Sequence, residues 1–137
     1  MTTLKSLIPN LMVKDMSETI TFYTKVLGFE IILAYPKEGN YEWAYLRKGD
    51  ANLMFQASKT LKAEFPELNT YNEGGALTLF IQMENVKDLY ESIVDKSSII
   101  RPYSVTSYNG ANEFVLKDLN GFILHFSDIN FSNFTKA

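Results

Sequence analysis

The chain contains no cysteine among its 137 residues, and it has a single histidine and a single tryptophan. Without cysteine it can form neither disulfide bonds nor thiolate metal sites, which suits a reducing compartment. No apolar run approaches the roughly 20 residues that span a bilayer, and residues 1–13 lack a signal-peptide core. We therefore expect a cytoplasmic protein with no membrane partner.

Positive charge is also scarce, because 13 Lys and Arg stand against 16 Asp and Glu, a net charge of -3. The basic residues do not cluster, so the chain would repel a polyphosphate backbone, and nucleic acid is not expected as a partner. A cationic small molecule is mildly favoured by this charge. Ten Phe and eight Tyr can serve both a core and a ligand pocket.

The first half of the chain predicts the order β-α-β-β-β. Residues 7–13 have a strand pattern, and Asp15 with Glu18 has the spacing of a capping box, which starts a helix. Gly28 lies where a helix ends in the left-handed conformation. Three more strands are then predicted from alternation and turn residues, at 29–35, 41–47 and 51–57.

The second half repeats this order, with Asn85 placed 70 residues after Asp15 as the cap of a second helix reaching Lys96. Its strands are predicted at 76–83, 99–105, 112–117 and 122–128. We expect a single domain, residues 1–137, that contains two modules. In chain order its parts are a first module at 5–57, a linker at 58–75 with one helical turn at 61–65, a second module at 76–128 and a tail at 129–137.

Each βαβββ module gives a four-stranded sheet with a helix on one face, so we predict an α+β fold whose two mixed sheets curve round a cleft. Asn120 and Gly121 supply the positive-φ residues of the last hairpin. Since side chains alternate along a strand, Leu124 and Phe126 should cover the second helix while His125 faces the cleft.

Four sequence runs carry a resemblance to a known family: IPNLMVKD at 8–15, FYTKVLGFE at 22–30, KDLYESI at 87–93 and EFVLKDLNGFILHF at 113–126. In this order and spacing they resemble the vicinal oxygen chelate superfamily of glyoxalases, dioxygenases and bleomycin resistance proteins. The resemblance extends over residues 6–127 and is greatest to the bleomycin resistance proteins. It implies the same paired βαβββ fold.

In the metal-dependent members the ion is held at cleft positions that correspond here to Ile8, Met54, Thr78 and His125. Such an ion needs three or four N or O donors, and only the histidine is a good ligand. We therefore expect no metal, no cofactor and no catalytic residue. A metal-dependent enzyme of glyoxalase or dioxygenase type, with an unusual ligand set that includes His125, remains the alternative, and the enzyme question stays open.

Bleomycin resistance proteins are homodimers that sequester the drug in grooves at the subunit interface, with the first strand exchanged about a proline that corresponds to Pro9. The resemblance implies a metal-free homodimer that sequesters a planar drug or metabolite, cationic in the favoured case, and so confers antibiotic resistance. The expected ligand contacts are Trp43, Tyr45, Met54, Phe80, Gln82, Tyr108 and His125.

Simpler explanations exist for several of these residues. His125 can be a partly buried histidine that is hydrogen-bonded to a neighbouring hydroxyl, and Trp43 can be a packing residue. Phe131 and Phe134 either dock on a partner subunit or fray. A regulatory or interaction module with a vestigial cleft is the third functional hypothesis.

Overall fold

The computed structural model describes residues 2–106 and 110–133. Contacts divide the chain into two compact units, Met1–Gly74 and Gly75–Ala137. Each unit contains a four-stranded mixed sheet and at least one helix, in the order β-α-β-β-β. The predicted α+β class with two βαβββ units is therefore confirmed. No helix among the described residues is long and apolar enough to cross a membrane.

The sheet of the first unit has the strand order β1-β4-β3-β2, with β1 parallel to β4 and the other pairs antiparallel. Helix α1 continues as a π-helical segment, and helix α2 follows the last strand. In chain order the elements are β1 Asn10–Val13, α1 Met16–Thr21, the π-helical segment Phe22–Val26, β2 Glu30–Tyr35, β3 Trp43–Lys48, β4 Ala51–Ala57, α2 Ser58–Glu64 and a 3-10 turn at Pro66–Leu68.

The sheet of the second unit has the equivalent order β5-β8-β7-β6, again with one parallel pair, β5 with β8. Short 3-10 turns precede β6 and follow β8. The elements are β5 Thr78–Gln82, α3 Val86–Ser92, a turn at Lys96–Ser98, β6 Ile99–Val105, β7 Asn112–Lys117, β8 Ile123–Ser127 and a turn at Phe131–Asn133.

The first helix begins and ends as predicted. The Asp15 carboxylate accepts the Glu18 backbone N–H at 2.9 Å, which satisfies one of the free donors at the helix start. Gly28 has φ +79 after the last turn, and Lys48 Nζ donates to the Leu27 carbonyl at 2.8 Å. Glycine is favoured there by the positive φ, and a Cβ atom at Gly28 would lie 3.1 Å from Lys48 Nζ and displace it by a few tenths of an ångström.

The second helix differs from the prediction at both ends. Asn85 precedes it but has φ 58, and its side chain makes no capping hydrogen bond. A capping side chain requires an extended backbone, whereas Asn85 uses the tolerance of asparagine for the left-handed region. The helix ends at Ser92 rather than near Lys96. Lys96 Nζ instead donates to the Tyr90 carbonyl at 2.7 Å.

The first strand is shorter than predicted, because it begins at Asn10 and not at residue 7. Pro9 has no N–H to contribute to a ladder, although its carbonyl accepts the Met54 N–H at 2.9 Å. Leu4 and Leu7 are 97% and 88% exposed. Part of the predicted linker is also regular, since Ser58–Glu64 forms α2, and its Leu61 is buried.

The face assignment in the last hairpin agrees with the alternation. Leu124 and Phe126 are buried, and Phe126 stacks on Phe114 with ring centroids 4.8 Å apart. Phe114 in turn contacts Tyr90 of α3 at 5.2 Å. In the first unit the buried Tyr23 packs on Phe55 at 4.6 Å. Each sheet therefore buries its helix-facing side, and His125 lies on the other side of its sheet.

The turn of this hairpin is built differently from the prediction. Gly121 has φ 97, but Asn120 does not have positive φ. The buried Asp118 carboxylate organises the turn, because one of its oxygens accepts the backbone N–H groups of Asn120 and Phe122, both at 2.9 Å. These two hydrogen bonds stabilise the turn, which therefore does not need the second left-handed residue that the sequence pattern predicted.

Candidate functional site

The helix-free face of the second sheet brings Phe80 and His125 together. The two residues are register partners in the parallel pair β5 and β8, and Val115 of β7 is the partner of His125 on the other side. The Phe80 ring meets the imidazole in an edge arrangement, with ring centroids 4.9 Å apart and planes at 71°. Phe80 remains 47% exposed, so part of the side chain is accessible to a ligand.

A carboxylate holds the histidine on this face. His125 Nε2 lies 2.7 Å from Glu113 Oε2, and the two side chains are 29% and 19% exposed. Glu113 is the register partner of Ser127, so it sits diagonally across from His125, within reach of a long side chain. The hydroxyl partner considered for His125 is therefore wrong, because the partner is an acidic group.

Sequence reasoning missed Glu113, although a signal was present. Glu113, Val115 and Lys117 alternate with Phe114 and Leu116, which face the helix and are buried. The strand pattern therefore puts Glu113 on the face of His125. What the sequence does not supply is the register between β7 and β8, which decides how near the two groups come.

The segment after β8 returns to the same face. Phe131 lies against Phe80 with ring centroids 5.8 Å apart, and Gln82 Nε2 donates to the Ile129 carbonyl at 2.7 Å. Phe131 therefore contacts Phe80 of its own unit, while it remains 54% exposed, and its docking on a partner subunit stays a prediction. Phe134 lies outside the described residues.

The predicted residues of the first unit also share one face. Tyr45 and Met54 are register partners, and Trp43 lies two residues before Tyr45 on the same strand. All three are half-buried and alternate with the buried Ala44, Leu46, Leu53 and Phe55. The predicted contacts therefore fall into two groups, Trp43, Tyr45 and Met54 in the first unit and Phe80, Gln82 and His125 in the second, while Tyr108 lies outside the described residues.

The four positions that correspond to metal ligands do not fit a metal ion. Ile8 and Met54 offer a hydrocarbon and a thioether, and Thr78 pairs with Ile123 rather than with His125. His125 with Glu113 gives two donors, fewer than the three that a bound ion needs. Over residues 2–106 and 110–133, no group of three or more His, Cys, Asp or Glu side chains could hold an ion.

A cavity of about 580 Å³ opens in the first unit, away from the predicted contacts. It lies between the start of α1, the loop at 39–41 and Ala57. The Asp15 carboxylate on its wall is engaged in capping α1. The predicted contact residues do not line this cavity, so they form surfaces on the two sheets instead.

Both units belong to the α+β class, and the helix-free face of each sheet carries aromatic and polar side chains. Residues 5–126 match the Glyoxalase/Bleomycin resistance protein/Dioxygenase superfamily. The chain belongs to this superfamily, which confirms the resemblance seen in the sequence.

Several solved structures share the fold. TioX from Micromonospora sp. ML1 is 18% identical, with a TM-score of 0.70 over 90% of this chain and 97% of that one. The bleomycin-binding protein of the bleomycin producer Streptomyces verticillus, solved with copper(II)-bleomycin, is 20% identical, with a TM-score of 0.60 over 95% and 100%. A glyoxalase/bleomycin resistance protein/dioxygenase family enzyme from Burkholderia phytofirmans PsJN is 18% identical, with a TM-score of 0.70 over 88% and 94%. No curated protein sequence gives a significant match.

Proposed function

We propose that this protein binds a planar, cationic small molecule on the face formed by Phe80, His125 and Glu113, without a metal ion. The observation that carries the proposal is the half-exposed Phe80 ring set beside a histidine that a carboxylate holds. The face combines an aromatic surface with a carboxylate that is bonded to the neighbouring histidine.

The aromatic part of the face suits a flat ligand. An exposed phenyl ring offers area for offset stacking, and its negative face attracts a cation. Phe131 adds a second ring beside Phe80, which extends the apolar surface. A planar ring system can therefore stack on Phe80 and contact Phe131, whose ring is tilted by 51° to it.

The polar part of the face suits a positive charge. Glu113 has one carboxylate oxygen on His125 Nε2, which orients the imidazole, and its negative charge lies in a half-buried position where solvent screens it less. The net charge of -3 acts in the same direction. Sequestration of a cationic drug, and with it antibiotic resistance, is the biological role that we infer.

The likeness to bleomycin-binding structures supports a role in binding a small molecule, and the assembly is proposed from the sequence resemblance. We propose a homodimer in which the first strand is exchanged about Pro9, in the cytoplasm, with the cleft at the dimer interface. In the single chain β1 pairs with β4 of the same chain. Trp43, Tyr45, Met54, Gln82 and Tyr108 complete the proposed contact set. Static light scattering checks the assembly, and a monomer at micromolar concentration would contradict it.

Calorimetric titration of the full chain tests the proposed ligand class. The probes are bleomycin, the planar cation ethidium and its neutral parent ring phenanthridine. We expect ethidium to bind, phenanthridine to bind at least about tenfold more weakly, and Glu113→Gln to remove most of this difference. Glu91→Gln, the same change on the exposed surface of α3, is the matched control.

A second pair of variants tests the contribution of the Phe80 ring to ligand binding. Phe80→Ala should weaken ethidium binding by about tenfold, whereas Phe65→Ala should have no effect. The two side chains are 47% and 48% exposed, so the control removes the same ring area elsewhere. Absence of binding by both ethidium and bleomycin, or equal binding of ethidium and phenanthridine, would contradict the proposal.

A metal-dependent glyoxalase or dioxygenase remains the second candidate, favoured by one observation. The Glu113–His125 pair is an arrangement that also orients an imidazole for proton transfer or metal ligation. The poor donor set around it argues against an ion. Elemental analysis decides the matter, because stoichiometric Zn, Ni, Mn or Fe that is lost in His125→Ala would overturn the metal-free proposal.

A further inference from the structure

Arg47, near the end of β3 in the first unit, is fixed by two neighbours on the helix-free face of its sheet. Its Nε donates to Asn52 Oδ1 at 3.0 Å, and its Nη2 donates to the Tyr45 hydroxyl at 2.8 Å. The Tyr45 hydroxyl donates to the same Asn52 oxygen at 2.6 Å, which closes a triangle of hydrogen bonds. Asn52 Nδ2 donates to the Asp50 carbonyl at 3.0 Å, and this bond sets the orientation of the amide.

This triangle uses only one edge of the guanidinium. Nε and Nη2 form the side edge of the planar group, and both are engaged on that edge. Arginine has five N–H donors, so the end edge, with one hydrogen on each Nη atom, keeps two parallel donors. The Arg47 side chain is exposed, and these donors can be reached from solvent.

The positive charge of Arg47 is not neutralised by its partners, since Tyr45 and Asn52 are both neutral. Glu30 is the register partner of Arg47 on β2, yet no ion pair joins these two residues in the part of the chain that the structure describes. The guanidinium carbon also lies 5.5 Å from the Tyr45 ring centroid, a cation–π contact that limits its movement.

We propose that Arg47, positioned by Tyr45 and Asn52, is a binding site for the carboxylate of a small organic molecule. Two parallel donors match the two oxygens of a planar carboxylate, and a side chain already held in place loses little entropy when it binds. Met54 and Leu33 are the register partners of Tyr45 on its two sides. They offer apolar contact to the body of the ligand, which favours an organic carboxylate over inorganic phosphate.

This site differs from the Phe80 face, because Arg47 and Asn52 lie outside the contact set proposed for the cation, although Tyr45 and Met54 belong to both. It takes an anionic group, whereas the Phe80 face takes a cation. The two proposals can therefore fail separately: ethidium and bleomycin report on one, and simple carboxylates report on the other.

Nuclear magnetic resonance can observe the site directly, because Arg47 and Arg101 are the two arginines of the sequence. The probes are benzoate, its neutral analogue benzamide and inorganic phosphate, added to nitrogen-15-labelled full chain. We expect the Arg47 Nε–Hε signal to move saturably with benzoate at millimolar concentration while the Arg101 signal stays in place. Benzamide should leave both signals unchanged.

Two variants distinguish the contribution of the planar guanidinium geometry of Arg47 from that of its positive charge. Arg47→Lys keeps the charge and should weaken benzoate binding by about tenfold, measured on the Asn52 backbone amide. Asn52→Ala removes the positioning acceptor and should weaken binding with Arg47 still present, whereas Asn72→Ala, outside the triangle, should not.

Any one of the following results would overturn the proposal: no saturable shift with benzoate, an equal shift of Arg101, an equal response to benzamide, or unchanged affinity in Arg47→Lys. Phosphate that displaces benzoate at equal or lower concentration would also overturn it, since the fork would then take oxoanions without preference for an organic carboxylate.

Discussion

Glu113 Oε2 lies 2.7 Å from His125 Nε2, across the diagonal between two antiparallel strands. The pair joins the one histidine of the sequence to a half-buried acid on a face that also carries the exposed Phe80 ring. This contact should contribute to the free energy of unfolding. Two groups in contact should show coupled effects on stability, and distant groups should not.

A double-mutant cycle with Glu113→Gln and His125→Gln measures this coupling. We expect about 0.5–1.5 kcal/mol at neutral pH from urea denaturation, since the pair is half-buried and in direct contact. Lys87 with Glu91 is the reference, an exposed pair at 3.9 Å on α3, for which about 0.3–0.5 kcal/mol is expected. Equal coupling free energies in the two pairs would mean that the partial burial of Glu113 does not strengthen its interaction with His125.

The edge contact between Phe80 and His125 should be visible in solution. Because the chain has one histidine, its imidazole ring protons give unique signals. Phe80→Ala removes a ring whose centroid is 4.9 Å away and should shift these signals, whereas Phe65→Ala should not. Unchanged His125 signals in Phe80→Ala would show that the two rings are apart in solution.

Gly28→Ala should destabilise the protein by about 2 kcal/mol in urea denaturation, because it forces alanine into the left-handed region and displaces Lys48 Nζ, which weakens its hydrogen bond to the Leu27 carbonyl. Gly39→Ala is the control, since Gly39 has φ +87 and no atom within 4 Å of an added Cβ. We expect it to cost about 1 kcal/mol, from the backbone alone. If both variants lose the same stability, the lysine contact contributes nothing.

Asp118→Ala should destabilise the last hairpin by about 1–3 kcal/mol, because it leaves two backbone N–H groups without their acceptor in a buried position. Asp118→Asn keeps an oxygen acceptor and should lose less. Urea denaturation gives the stability, and hydrogen exchange of the Phe122 amide gives the local effect. A loss in Asp118→Ala no larger than that in Asp118→Asn would contradict this account of the turn.

Glu73 provides a pH-dependent contribution. The Ser58 hydroxyl donates to its carboxylate at 2.5 Å and lowers the pKa of Glu73 below its ordinary value of 4.5, with help from the charges of Lys62 and Lys14. A lowered folded-state pKa stabilises the protein above the unfolded pKa, and this stabilisation is lost as the pH falls through the folded pKa. Ser58→Ala should therefore destabilise more at pH 7 than at about pH 3.

The control for this prediction is Ser92→Ala, whose hydroxyl donates to the Leu89 carbonyl and not to an acid. Its effect on the urea midpoint should be the same at both pH values. A Ser58→Ala effect that does not change with pH would mean that the hydrogen bond does not favour the ionised form of Glu73.

The sequence by itself determines the local structural features of this protein. The Asp15 cap, the left-handed Gly28, the order of strands and helices, and the direction in which Leu124 and Phe126 point all follow from neighbours a few residues apart. The superfamily follows as well, since its motifs combine these local signals in a fixed order.

Register and backbone context are decided by the tertiary structure. The nearness of Glu113 to His125, the Tyr45–Asn52–Arg47 triangle and the return of Phe131 to Phe80 all depend on pairing between segments that local propensity does not align. Alternation along a strand predicts which face of the sheet a side chain occupies. The register between strands decides which groups on that face come within hydrogen-bonding distance.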